Sequence, residues 1–322
     1  MTGFLARRLL SALPTLVGIT LVAFAVLNLL PGDPLETRMP EAAVLSAEAS
    51  ERLREGLEDE GGAARRYLRW AGGLIRGDLG TSLRHDRPVG RLIAEALPWT
   101  LLLNLGALSA IYGLGVPFGL LAAARPGSAA DRLGGAALLA LYTLPTFAAA
   151  LLLQQVFAVR LGILPLHGIP EPGGGPGAWI RHALLPAACL ALTGWAFVGR
   201  YARAAFRAAL RRDYLAAARA RGVPPARAWA HVAANAAVPL VTLLANVLPA
   251  LVGGSVIVEQ IFSWPGVGRL YLAAIEARDA PVVLGLTLLS AVLVLLAQVL
   301  ADLLHAVADP RVRSALAGGE GR

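Results

Sequence analysis

The chain has 322 residues, of which 57% are hydrophobic and 16% charged, with a net charge of +8 that is carried without a single lysine. A soluble domain is about 25% charged, so this composition, a mean hydropathy of +0.63 and the long uncharged runs described below exclude an ordinary water-soluble fold. The missing lysine also excludes a standard phosphate-binding loop, whose Lys reaches the phosphates, so any nucleotide that powers this chain binds to another protein.

The first element is an uncharged run from Leu9 to Leu30, preceded by Arg7 and Arg8. It is long enough to cross the bilayer as a helix of about 20 residues and longer than the roughly 7–15 apolar residues of a signal peptide. Pro31 and Pro34 end it, since neither donates a backbone hydrogen bond. Residues 32–96 then mix acids with arginines, which predicts a soluble segment. Within it Glu41 to Glu60 is rich in helix formers, Gly61 and Gly62 end that helix, and Tyr67 to Ile75 predicts a short amphipathic helix before a turn at 77–82.

Five more apolar stretches follow, at 99–124, 133–159, 183–199, 238–262 and 280–307. Pro117, Pro145 and Pro249 lie inside three of them, which membrane helices tolerate when neighbours satisfy the freed carbonyls. Abundant Gly and Ala allow close helix contact. The fourth stretch is the shortest; it can continue past Arg200, whose side chain can reach back to the interface. These stretches predict an all-α, polytopic membrane protein with six transmembrane helices.

Arginine placement sets the orientation, because short cytoplasmic loops are enriched in positive charge. With six spans, Arg7 and Arg8, Arg125 and Arg132, the Arg-rich stretch from Arg200 to His231, and Arg311 and Arg313 all fall on one side. The topology is therefore N-in/C-in, in a multi-pass membrane protein. The chain divides into residues 1–96 (the first helix plus an external segment), 97–310 (the membrane core, with a cytoplasmic loop at 200–238) and 311–322 (a tail).

That loop is the most informative segment. Asp213 suits an N-cap, and Ala216, Ala217 and Ala218 favour helix. Arg219 and Arg221 lie near the helix C-terminus, where positive charge suits the dipole. Gly222 can take the left-handed conformation that ends a helix, and Pro224 or Pro225 can then open a second one, running toward Pro239. The product is a helix–Gly–helix hairpin that also includes Tyr214. Its small, Ala-rich side suits insertion into a groove on a partner protein; a surface helix held at anionic membrane lipid by its arginines is the alternative.

Thr242, Asn246, Ser255 and Glu259 are the polar side chains in and at the end of the fifth stretch. They either line a solute path or serve helix packing beside Gly253 and Gly254. Trp264 opens a turn and can serve as an anchor in the interfacial aromatic belt. Asp302 and His305 form an i,i+3 pair near the end of the last helix, a proton relay or a simple cap. His85, His167, His182 and His231 lack metal-ligand spacing, Cys189 stands alone in an apolar run, and no cofactor and no nucleic-acid partner are expected. Ser255 with His305 is a weak echo of a nucleophile and its base, giving an intramembrane serine hydrolase as one rival reading. A secondary transporter driven by an ion gradient is another, although no inverted repeat is evident.

Five strings give the chain a resemblance over nearly its whole length: residues 29–34 (Leu-Leu-Pro-Gly-Asp-Pro), 77–83 (Gly-Asp-Leu-Gly-Thr-Ser-Leu), 213–222, 258–270 and 308–313. Taken in this order they are similar to the inner-membrane permeases of binding-protein-dependent ABC importers of the dipeptide/oligopeptide/nickel family. The resemblance implies a type I ABC importer transmembrane fold, a place in the bacterial cytoplasmic (inner) membrane and no enzymatic activity in this chain, with ATP hydrolysed by partners. For the turn at Trp264 it suggests, instead of an interfacial anchor, a loop near the receptor or outer gate. It also implies alternating access that moves a receptor-delivered solute, most simply a di- or oligopeptide. The implied partners are a homologous second permease forming a heterodimer, two ATP-binding subunits and an extracytoplasmic solute-binding protein. In such permeases a cytoplasmic Glu-Ala-Ala, three residues, Gly motif contacts the ATPase. Here Ala217, Ala218 and Gly222 match it, while Ala216 replaces the Glu and Pro239 lies later than the family's proline.

Overall fold

The computed structural model describes residues 2–29, 63–211, 217 and 220–308, and every regular element among them is helical. In chain order these are α1 (Thr2–Leu29), α2 (Ala63–Ile75), α3 (Val89–Ala124), α4 (Ala129–Thr143) and α5 (Thr146–Leu153), the last running into a π-helical turn (Gln154–Arg160). Then come α6 (Pro176–Leu210), α7 (Pro225–Thr242), α8 (Leu244–Ile261), α9 (Val267–Glu276) and α10 (Ala280–Ala308). The helix expected over Glu41 to Glu60 lies outside the described residues.

The apolar stretches are legible in these helices, with three instructive departures. The stretch at 133–159 is not one straight helix: α4 and the segment that follows it meet at 107°. The cause is Pro145, which forces Leu144 into extended backbone (φ −76°, ψ 120°) and then begins α5, where no N–H is needed. The stretch at 183–199 is the middle of the much longer α6, which starts on Pro176 and continues through Arg200, Arg203 and Arg207. The stretch at 238–262 begins inside α7 and passes through a break at Leu243 into α8, with the two axes bent by 47°. Tyr112 Oη donates to the Leu240 carbonyl beside that break, at 3.1 Å. By length and composition α3, α6 and α10 can each cross a membrane, and the count rises to five if each bent pair makes one span.

The described residues pack as two units. The first holds 101–264, the second half of α10 and the start of α1. Its hub is α6, which packs against α4, α5, α7 and α8. Helix α3 runs beside it with almost nothing between the backbones: a Cβ on Gly119 would lie 2.4 Å from the Ala202 Cβ and 2.6 Å from the Arg203 backbone nitrogen. Gly115 abuts Val198 and Gly199, and Ile111 fills the space over Gly194. These pairs ascend together along both helices, so α3 and α6 run in the same direction. Small residues permit such approach where lipid gives no hydrophobic drive for helices to associate.

The second unit holds residues 7–29, 63–100 and 265–293. Its core joins Val89, Leu92, Ile93 and Ala96 of α3 to Val267 and Ala274 of α9 and to Val282, Val283 and Leu286 of α10. Thr100 Oγ1 accepts from the Val267 N–H at 2.8 Å and so caps α9. The turn predicted at 77–82 is present: Gly77 and Gly80 take positive φ, and Asp78 accepts from the Gly80 N–H at 2.8 Å. Its anchor is Asp279, only 1% exposed, which accepts from Ser82 Oγ (2.5 Å) and from the N–H groups of Leu83 (3.1 Å) and Arg84 (3.2 Å). Tyr67 of α2 reaches Thr20 of α1 at 3.1 Å and meets Phe24 edge to face.

Large apolar side chains are exposed in helical rows, such as Leu10, Leu13, Val17 and Leu21 on α1 and Leu296 and Leu300 on α10. In water these rows would aggregate; against lipid they are the favoured surface, and the helices satisfy their backbone groups internally.

Candidate functional site

The Arg-rich end of the first unit carries the hairpin. Gly222 has φ +70°, in the left-handed region, as expected of a residue that ends a helix. The Arg221 N–H donates to the Ala217 carbonyl at 3.1 Å, a helical i−4 bond, and Pro225 opens α7 in its first turn. Ala228, Val232, Ala236 and Leu240, spaced by four, bury one stripe of α7, and α7 packs against α6. Ala217, Arg221, Gly222, Pro224 and Arg227 are exposed at the apex. Asp213, Tyr214, Ala216, Ala218 and Arg219 lie outside the described residues.

A buried charge cluster sits at the same end. Asp131 in the first turn of α4 is 3% exposed. Its carboxylate pairs with Arg203 Nε at 2.5 Å and accepts from Arg207 Nη2 at 2.9 Å and the Gly127 N–H at 2.8 Å. Ser128 Oγ accepts from the Asp131 N–H and caps α4, and Arg132 Nε donates to the Gly127 carbonyl. Sequence reasoning used Arg125 and Arg132 of this connection for orientation and overlooked Asp131 between them. A signal was available: Ser128-x-x-Asp131 is a capping pattern, and Arg203 and Arg207 are i,i+4 neighbours on one helix face. Arg200 lies with its guanidinium 5.8 Å from the centre of the Tyr142 ring, a cation–π contact.

The four polar residues proposed for a path separate into two groups. Thr242 and Asn246 fall on opposite sides of the Leu243 break rather than on one continuous helical face. Thr242 Oγ1 donates back to the Val238 carbonyl at 3.0 Å, whereas Asn246 is exposed. Ser255 and Glu259 are buried at 1% and 0% exposure.

At the end of the unit where α6 begins, the chain is strapped by polar contacts. Gln154, at the start of the π-helical turn, donates to the Leu166 carbonyl at 2.9 Å, and the Gly168 N–H donates to the Phe262 carbonyl at 2.8 Å. Trp264 is fully buried, and its N–H donates to the Glu259 carbonyl at 2.8 Å. A residue with no exposed surface cannot sit in the interfacial aromatic belt, so that reading of Trp264 falls. No group of His, Cys, Asp and Glu suited to a metal occurs among the described residues. Cys189 is a buried core thiol. Asp302 lies on α10 near its end, and the His305 side chain is outside the described residues.

The family model described as "Binding-protein-dependent transport system inner membrane component" matches residues 115–314. The chain belongs to this family. As an inner membrane component it is a permease subunit of an ABC importer, multi-pass in the cytoplasmic membrane, and a transport protein rather than an enzyme. The hydrolase and ion-gradient readings are thereby set aside. The oligopeptide transport system permease protein AppB of Bacillus subtilis (strain 168) is 37% identical to this permease over 97% of the chain and 99% of its own length. The di/tripeptide transport system permease protein DppB of Pseudomonas aeruginosa (strain UCBPP-PA14) is 37% identical over the same shares.

Proposed function

We propose that this permease imports di- or oligopeptides as one half of a six-plus-six-span pore, with both of its termini in the cytoplasm. A homologous second permease completes the pore, two ATP-binding subunits dock on the cytoplasmic hairpin, and an extracytoplasmic binding protein delivers the peptide. The single observation that carries the reading is the exposed turn at Gly222 between α7 and the long α6. It is a projecting, Arg-flanked element at the end of a helix bundle, built to be gripped by another protein. Asp213, Tyr214, Ala216, Ala217, Ala218, Arg219, Arg221 and Gly222 form the grip, and Thr242, Asn246, Ser255 and Glu259 mark the path the peptide takes. The peptide cargo is supported by near full-length similarity to two permeases named for peptides. The parallel course of α3 and α6, with α4 and α5 returning between them, supports the alternating crossings.

ATP drives the cycle from outside this chain. Closure of the ATPase dimer displaces the hairpin, α6 carries the displacement along its ~50 Å length, and the pore switches between outward- and inward-facing states. Reconstitution into proteoliposomes with the second permease, the ATPase subunits and the binding protein tests this. Uptake of a radiolabelled dipeptide is expected only with ATP and the binding protein together. Uptake driven by an ion gradient in the absence of ATP would overturn the reading.

A further inference from the structure

The Asp131 cluster is more than a satisfied charge. Arg203 and Arg207 occupy the last turns of α6, which ends at Leu210 immediately before the hairpin. Asp131 lies in the first turn of α4, directly after the connection from α3. The same level of the bundle is close-packed: Gly119 of α3 lies against the Ala202–Arg203 backbone, Gly134 of α4 against the ring of Phe118, and Gly199 of α6 against Leu138. One carboxylate therefore bonds the α3–α4 connection to the part of α6 nearest the hairpin, where α3 and α6 meet at the backbone and α4 packs on them through Leu138 and the Phe118 ring.

Energetics argue that the tie has a purpose beyond stability. A buried ion pair contributes little over well-packed apolar residues of the same volume, because desolvation offsets attraction, whereas it fixes registry between elements. The arginines keep about a third of their side-chain surface exposed (33% and 31%) while Asp131 keeps 3%. The arginine side chains thus stay partly exposed, and the buried member is the carboxylate on α4. Beyond this level the chain changes direction, since α4 ends at the 107° bend before α5.

We propose that Asp131 is a positioning residue for transport: it locks the α3–α4 connection to the cytoplasmic end of α6, so that displacement of the hairpin moves α3, α4 and α6 as one body. The inference rests on the reading of the chain as an ATPase-driven permease. Without the tie, α6 moves against α3 and α4, ATP is hydrolysed, and less of the motion reaches the pore.

The experiment measures peptide taken up per ATP hydrolysed by the full reconstituted complex, at equal amounts of assembled protein. The unaltered complex is measured first, and absence of ATP-driven uptake there overturns the functional reading together with this inference. Asp131→Asn keeps the size and a hydrogen-bonding group but removes the charge. Its uptake per ATP is expected to fall about tenfold, with basal ATP hydrolysis and ATPase co-purification retained. Unchanged uptake per ATP overturns the tie while leaving the functional reading intact. If Asp131→Asn lowers assembly, Arg207→Gln decides, since it loosens the tie at a partly exposed partner while Arg203 keeps the carboxylate paired. Lowered uptake per ATP with basal ATP hydrolysis retained supports the tie; unchanged uptake per ATP overturns it.

Discussion

Gly222 sits at φ +70° with nothing within 4 Å of the position a Cβ would take. Its requirement is therefore conformational and not steric: a side chain has room but strains the backbone. The left-handed conformation costs an L residue about 1–2 kcal/mol. Gly222→Ala is expected to leave the abundance of the protein in the membrane unchanged, because the turn is exposed and no packing is lost. It should shift the angle between the hairpin helices and weaken ATPase docking by roughly fivefold. Co-purification of the ATPase subunits against a titrated salt series measures this, and undiminished capture would show that the turn tolerates another conformation.

At the scale of elements, contact between α3 and α6 depends on Gly119 and not on Gly113. At Gly119 a Cβ would collide with backbone, so Gly119→Ala forces the helices apart and is expected to destabilise by about 1–3 kcal/mol. At Gly113 a Cβ meets nothing within 4 Å, so Gly113→Ala is expected to be neutral, or to stabilise by up to about 1 kcal/mol through the entropy that glycine loses. Thermal unfolding in detergent separates the two, and equal behaviour would contradict the close approach. Such pairings were only partly legible in the sequence. The apolar runs located the helices, since burial in lipid requires length and the absence of charge. The fourth run alone stops at residue 199, and although a continuation past Arg200 was expected, the pairing of the last turns of α6 was not, because the counter-charge lies far off, Asp131 being 76 residues from Arg207. The apolar runs also missed the turn before α5, because a run of hydropathy carries no direction and only Pro145 signals the corner. The turn at Gly222 and the start of α7 at Pro225 were legible because a left-handed Gly and an N1 proline act locally, while the expected cap at Asp213 lies outside the described residues.

For the whole molecule, the distribution of charge and the course of α6 make a single testable picture of orientation. Cys189 is 1% exposed, so introduced cysteines report without background from it. His167 and Arg227 are both exposed, the first in the loop leading to α6 and the second in the first turn of α7. With a membrane-impermeant maleimide, His167→Cys is expected to label in intact cells and Arg227→Cys only after the membrane is opened. The opposite pattern would invert the topology. The solute path was the least legible feature. Polarity alone nominated Thr242 and Asn246 together, and only the break at Leu243 separates them.

The bonds that Asp279 makes to Ser82, Leu83 and Arg84 also impose an order of assembly. Nearly 200 residues separate the carboxylate from its donors, 197 in the case of Ser82. The core of the second unit likewise joins Val89 and Ile93 to Val282 and Leu286. A ribosome delivers the donors early and the acceptor near the end of synthesis, whereas α4 to α8 of the first unit emerge in one continuous stretch. The α4 to α8 part of the first unit can therefore pack while the chain is still growing, and the turn at 77–83 waits with its N–H groups turned to water or to a chaperone. Loop closure over so long a span costs little more entropy than over a shorter one, so the delay comes from the timing of synthesis. The last helix to be made completes the part of the protein that began first.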